Sequence, residues 1–324
     1  MNRYRLVHST EFLYDGAVSE SYNEVRLRPI DDETQSCLSF RLVTSPPSRG
    51  ASFRDAYGNW IHQFNILADH RRLKIEAESV VLAHQAPIPE AGGVTLAGLD
   101  AVRAELFEEN YDFVAPSAYV PYLPELRDIL DEVETHSDGT ALGFAQAAST
   151  YIHEHFAYVK GATHVHSSVQ DSLALKAGVC QDFAHLLLGV VRMRGLPARY
   201  VSGYMVPGDA TNSDSKQQEV IGGQASHAWA EVFVPGTGWL AFDPTLGKPV
   251  GQRHIRIAYG RDYGDVPPVR GVYKGRAGQQ LSVDVRVRPA LDEEGREQLT
   301  ETSEGPHDAP QMAELPQQHQ NQQQ

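Results

Sequence analysis

The hydrophobic period of this chain changes once, and that change limits the fold more than any other feature. Up to about residue 84 the pattern alternates. Tyr4, Leu6 and His8 alternate with Arg5 and Val7, and the runs 24–29, 38–42 and 73–77 repeat the two-residue period. Period two is the mark of half-buried strands. Pro46-Pro47 and Tyr57-Gly58-Asn59 supply turn signals between them. We expect an antiparallel β-sandwich-like domain of five to seven strands over 1–85. The segment 86–95, with Pro87, Pro89, Gly92 and Gly93, reads as a linker.

From about residue 96 the period is helical. Pro124 opens one helix, and Glu125 and Asp128 lie near its positive end. Thr140 to Tyr158 and Ser168 to Ala177 are further helices, the second stopped by Gly178. Another begins at Cys180 and ends at Gly195-Leu196-Pro197. Strands follow at 199–205, 225–234, 239–243, 254–258 and 281–287. The expected class is α+β: the β-domain, then an α+β core over 96–288. The polar stretch 207–224 reads as a mobile loop. The tail 289–324, acidic and then glutamine-rich, reads as disordered.

Composition narrows the function. The 324 residues are enough for about two domains at roughly 100–200 residues each. Asp+Glu outnumber Lys+Arg by 42 to 28, a net charge of -14. That balance argues against nucleic-acid and anionic-membrane partners, which favour basic surfaces. No apolar run approaches the roughly 20 residues of a membrane span. The start MNRYRLVHSTEFLY lacks the pattern of a signal peptide. The expectation is a cytoplasmic protein. Two cysteines, Cys37 and Cys180, make no disulfide framework. Cys37 lies in a strand-like run and reads as a small core residue.

Cys180 has the more informative setting, Gly178-Val179-Cys180-Gln181-Asp182-Phe183-Ala184-His185. At a helix N-terminus, free N–H groups and the helix dipole favour an anionic sulfur. The backbone N–H of Cys180 can also face a developing oxyanion. At ~100° per residue, Ala184, Leu187 and Val191 share the side of Cys180, which therefore points inward. His185 points about 140° away and is a poor base for it.

A better base stands on Ser226-His227-Ala228-Trp229-Ala230-Glu231-Val232-Phe233-Val234. This strand returns through Pro235-Gly236-Thr237-Gly238 into Trp239-Leu240-Ala241-Phe242-Asp243-Pro244-Thr245. In such a hairpin His227, Trp229, Glu231 and Phe233 share one face. If Phe233 pairs with Trp239, Trp229 faces Asp243, and His227 lies diagonally across from it at ~7–8 Å, within reach of long side chains. Asp243 can then hold one ring nitrogen of His227 and leave the other for the thiol. This is the nucleophile–base–orienter pattern of acyl transfer through a thioester.

The blocks GVCQDFAHLLLGVVRMRGLPARYVSGYM, SHAWAEVFVPGTGWLAFDPT and HIRIAYGRDYGDVPPVRG resemble the bacterial transglutaminase-like family, a branch of the papain-like cysteine enzymes. Residues 1–84, with YRLVHSTEFLYDG, NEVRLRP and DAYGNW, resemble the β-rich domain that accompanies this core. The resemblance covers about residues 1–288. It implies catalytic roles for Cys180, His227 and Asp243, and a peptide or protein amide substrate.

The second oxyanion donor has no clear counterpart, because Trp60, in the other domain, is the sole tryptophan upstream of Cys180. Tyr158, Gln181 and His166 are the candidates. Tyr158, Gln181, Trp229 and Asp262 are candidate substrate contacts. The segment 261–265 reads equally as a cleft lining or a charged structural loop. No acidic loop resembles an EF-hand, so calcium activation is not implied, and the expectation is of neither a cofactor nor a metal. The pairs His153/His155 and His164/His166 lack the further ligands of a zinc site.

The reading is a cysteine protease or amidase. The alternatives are a protein-glutamine acyl transferase using an amine, a peptide-binding protein without turnover, and a metal-dependent hydrolase built on the His pairs.

Overall fold

The structure is a computed structural model that describes residues 1–84, 94–206 and 226–290. Most of the linker at 86–95, the loop at 207–224 and nearly all of the tail lie outside the described residues.

The N-terminal domain is built on one long strand, β1 (Asn2–Val25). It is joined by β2 (Gln35–Ser45), β3 (Gly50–Arg54), β4 (Trp60–Ile66) and β5 (His70–Ala83). The alternation read in the sequence is the burial pattern of β1 and β5. A register irregularity between Leu13 and Val18 divides β1. Its first half pairs with β5, which pairs in turn with β2. Its second half pairs with β4, which pairs with β3. Tyr14, Val18 and Val25 of β1 pack with Phe64 and Ile66 of β4 and with Leu73, Ile75 and Ala77 of β5. The sandwich-like packing thus comes from one curled antiparallel sheet.

The helical layer comprises α1 (Leu96–Glu109), α2 (Tyr111–Val114), α3 (Glu125–His136) and α4 (Ala141–His155). Thr95 and Thr140 cap α1 and α4 through their hydroxyls, which accept the N–H groups of Gly98 and Gly143. Next come β6 (Ala157–Tyr158), α5 (Val169–Leu175), β7 (Ala177–Gly178) and α6 (Cys180–Arg194). The helix α5 is stopped by Lys176, in the left-handed conformation at φ 49°, and not by Gly178. Gly178 serves another purpose. A Cβ there would lie 2.7 Å from the Asp182 side chain.

The core sheet follows the order β11-β10-β9-β8-β12, with β8 (Ala198–Met205), β9 (Ser226–Val234), β10 (Gly238–Asp243), β11 (Lys248–Pro249) and β12 (His254–Gly260). Alternation along β9 places Ala228, Ala230, Val232 and Val234 in the core with Phe183, Ala184, Leu187 and Val191 of α6. His227, Trp229, Glu231 and Phe233 take the other face.

The last strands correct the sequence reading. The chain from 269 onward, assigned there to the core, returns to the N-terminal sheet. Both β13 (Val269–Lys274) and β14 (Gln279–Pro289) pair antiparallel with β1. Period two marks a strand but does not say which sheet it joins. The two domains share an apolar seam of Tyr4, Leu6 and Val81 against Tyr204, Ile255 and Ile257. Cys37, read as a core residue, is only partly buried, because β2 is an edge strand.

Candidate functional site

Cys180 is the first residue of α6, and Val179 before it is extended. Asp182 closes that end of the helix, its Oδ2 accepting the Val179 N–H at 2.7 Å. The same oxygen accepts from the Thr163 hydroxyl at 2.5 Å. Asp182 is thereby committed to the loop before Cys180. This is the geometry in which helix-end N–H groups face the sulfur.

The hairpin register is the one expected. Trp239 pairs with Phe233 and Phe242 with Ala230. Asp243 and His227 meet, with Nε2 of His227 2.7 Å from Oδ2 of Asp243. Both side chains are buried. The Cys180 side chain is hydrogen-bonded to His227. With Nε2 engaged by Asp243, Nδ1 is the nitrogen left for sulfur. The three residues read from the sequence form one linked row.

Electrostatics fix the state of this row. Burial opposes a charged His227 ring, but the Asp243 carboxylate, and after it Cys180, push its pKa up from 6.5 to about 10. Burial would also raise Asp243, yet the charge and hydrogen bond of His227 and the hydrogen bond from His254 hold it well below the usual carboxylate range. Oδ1 of Asp243 accepts the backbone N–H groups of Thr245 at 2.9 Å and Leu246 at 3.2 Å. Because the folded pKa of His227 lies above its ordinary value, the charged ring stabilises the fold fully below pH 6.5. That contribution is lost as pH rises through about 10.

Asp243→Asn removes the charge and leaves burial to dominate. The His227 pKa is then expected to fall to 6.5 or below, read by histidine-selective NMR titration. A His227 that stayed charged well above neutral pH in this variant would contradict the assigned cause.

Sequence reasoning missed His254. It stands at the start of β12, with Nε2 3.0 Å from Oδ2 of Asp243. It lies inside the block beginning HIRIAYG that carried the family resemblance, but no local spacing ties it to Asp243. His227, Asp243 and His254 are also the one group of three among the described residues whose ligand-type atoms all lie within 4.8 Å of one another. Both nitrogens, however, sit at hydrogen-bond distance from a single carboxylate oxygen. The pairs His153/His155 and His164/His166 belong to no such group among the described residues. His153 Nδ1 instead donates to the Thr245 carbonyl at 2.9 Å.

The secondary candidates separate. Tyr158 pairs with Gly178 across the two short strands β6 and β7, beside the loop leading to Cys180. Burial first and the nearby Cys180 second raise its pKa well above the ordinary tyrosine value, so its hydroxyl remains a donor. Gln181 donates its amide to the Val165 carbonyl at 3.2 Å. His166 faces the Tyr119 hydroxyl at 3.4 Å.

Trp229, read as a substrate contact, is fully buried. Its ring lies 6.1 Å from that of His227 and edge-on to His254 at 5.2 Å. It therefore packs behind the site. Gly203 of β8 makes room for it, since a Cβ there would come 2.4 Å from the indole. Asp262 is also buried. Its carboxylate accepts from Gly264 N–H at 2.7 Å and Tyr119 N–H at 3.2 Å, capping the short 3-10 turn Tyr263–Asp265. Both were misplaced because a motif shows which residues are near a site, not which are exposed in it. His185 is no base for Cys180. Its Nε2 accepts Tyr263 N–H at 3.1 Å, and burial lowers its pKa to about 3.

Comparisons with known proteins place the chain in a family. A family model for the bacterial transglutaminase-like N-terminal region matches residues 4–82. One for the transglutaminase-like superfamily matches residues 127–244, a span that includes Cys180, His227 and Asp243. An uncharacterized protein of Mycobacterium leprae is 34% identical over 289 residues, covering 89% of this chain and 99% of its own. A protein-glutamine gamma-glutamyltransferase of Pseudomonas aeruginosa is 34% identical over 128 residues, covering 38% of this chain and 18% of its own. A solved structure of a candidate cysteine protease from Cytophaga hutchinsonii matches with a TM-score of 0.67 at 20% identity, over 93% of this chain and 94% of its own, a likeness of fold. With both its domains matched in order, and a relative aligned along nearly its whole length, the chain belongs to the transglutaminase-like superfamily, a family of cysteine-dependent enzymes.

Proposed function

We propose that this protein cleaves amide bonds of a peptide or protein through a Cys180 thioester, with water as the acceptor. The observation that carries the reading is the single row in which buried His227 is bonded to half-buried Cys180 on one side and to buried Asp243 on the other. The Cys180 sulfur attacks the carbonyl carbon, and the C=O electron pair moves to oxygen. The oxyanion is met by the Cys180 backbone N–H and, beside it, the Tyr158 hydroxyl. His227 gives its proton to the leaving amine as the C–N bond breaks, leaving the thioester. It then takes a proton from water as that water adds to the thioester, and the C–S bond breaks to release the acid and return the sulfur as thiolate beside the charged ring. Asp243 orients the ring and stabilises its charged form.

A peptide-binding role without turnover gives no reason for all three groups to be aligned in this way. Acyl transfer to an amine uses the same first half-reaction and differs only in the acceptor.

Two measurements test the reading. Iodoacetamide near neutral pH should label Cys180 before Cys37, whose thiol burial pushes up. Equal labelling of both would remove the argument for an activated sulfur. An acyl donor should then release product in buffer alone. Release only when a primary amine is added would replace hydrolysis with transfer.

A further inference from the structure

We propose that His254 is a positioning residue of this site, holding the Asp243 carboxylate against His227, so that the working unit is Cys180, His227, Asp243 and His254. This rests on the cysteine-enzyme reading above. One oxygen of Asp243, Oδ2, faces both rings, 2.7 Å from Nε2 of His227 and 3.0 Å from Nε2 of His254. An ionised carboxylate only accepts, so both nitrogens must donate. The His254 tautomer is fixed from its far side. The Gly251 N–H donates to its Nδ1 at 3.3 Å, which leaves the ring proton on Nε2.

The charge of His254 matters as much as its place. Asp243, His227 and Arg256 act on it electrostatically, and the Trp229 ring covers it edge-on. Burial lowers its pKa, so the ring is neutral. A second cation at Oδ2 would compete with His227 for the carboxylate. A neutral N–H donor fixes the oxygen without that competition. With Oδ1 held by Thr245 and Leu246, and Oδ2 by two rings, the carboxylate has no free direction in which to turn. Without His254, only the base itself would hold Oδ2.

The N-terminal domain supports this arrangement. Two residues after His254, the Arg256 N–H donates to Oε1 of Gln35 at 2.8 Å, and Nε2 of Gln35 donates back to the Arg256 carbonyl at 2.8 Å. The strand that delivers His254 is therefore fastened to the neighbouring domain.

The test uses the full chain, 15N-labelled at histidine, as wild type, His254→Ala and His254→Gln. In the wild type near neutral pH, His254 should be the neutral Nε2–H tautomer beside a doubly protonated His227. A His254 found as the Nδ1–H tautomer, or charged, overturns the proposal, and this reading needs no variant to fold. In His254→Ala the His227 titration should move to lower pH, and iodoacetamide alkylation of Cys180 should slow about tenfold or more, as misplacement of a reacting group predicts. His254→Gln, with an amide N–H to offer Asp243, should recover most of that rate. An unchanged alkylation–pH profile in His254→Ala overturns the proposal. So does a glutamine variant as slow as the alanine one when both melt like the wild type, since packing alone would then be at stake. Neither readout needs a substrate. Absence of amide turnover by the wild type would therefore count against the enzyme reading alone.

Discussion

Replacing Cys180 by alanine is expected to lower amide turnover on the order of 10^6-fold, and His227→Ala by a similar factor, because neither half of a nucleophile–base pair works alone. The thioester needs the sulfur, and the leaving amine needs the proton that His227 holds through its raised pKa. Asp243→Ala should cost less, on the order of 10^4-fold, since it only orients and charges the ring. The effects should be far from additive, with the double variant Cys180→Ala, His227→Ala little worse than either single one. Single-turnover rates on one acyl donor, beside melting temperatures, check this. Wild-type turnover by folded Cys180→Ala would end the cysteine mechanism and return attention to the histidine pairs.

The largest expected stability effect lies two strand positions beyond Trp229, at Glu231. Its carboxylate is almost fully buried and bonds Arg199 at 2.7 Å on β8 and also Arg256 on β12. Burial alone would raise its pKa, but the two guanidinium groups outweigh that and hold it below the ordinary glutamate value. Arg199 in turn lies over the rings of Trp239 and Tyr259, at 4.3 and 3.7 Å. Glu231→Ala would strand two mostly buried cations. Breaking such a group from one side costs about 3–5 kcal/mol. Glu231→Gln, which keeps the volume and one acceptor oxygen, should cost less. Urea midpoints at an unchanged slope would measure this. A loss below about 1 kcal/mol would place the cluster with exposed pairs, which contribute little.

Because the folded pKa of Glu231 lies below its ordinary value, its pH dependence opposes that of His227. Its contribution is present above the ordinary glutamate value and is lost as pH falls through the lower folded one. The His227 contribution disappears on the alkaline side instead.

The sequence by itself determined the local parts of the site. A glycine, an extended residue and Cys180 ahead of an apolar helical run set the sulfur at a helix N-terminus. Gly195-Leu196-Pro197 set where that helix stops, with Gly195 left-handed at φ 97°. The short turn after Val234 fixed the register of Phe233 against Trp239, and so the diagonal placement of His227 and Asp243. These depend on neighbours in the chain, whose geometry follows from fixed helical and strand periods. Tertiary structure alone decided the rest. Alternation marked 281–287 as a strand, yet its partner is β1, more than two hundred residues earlier. Trp229 and Asp262 carried the right motif but were turned inward by packing, Trp229 into the space that Gly203 leaves and Asp262 onto two backbone N–H groups. His254 reaches Asp243 although two strands, β9 and β8, separate β12 from β10 in the sheet. A hydrogen bond between residues on different strands depends on how the sheet is assembled, and no periodicity within either strand encodes it.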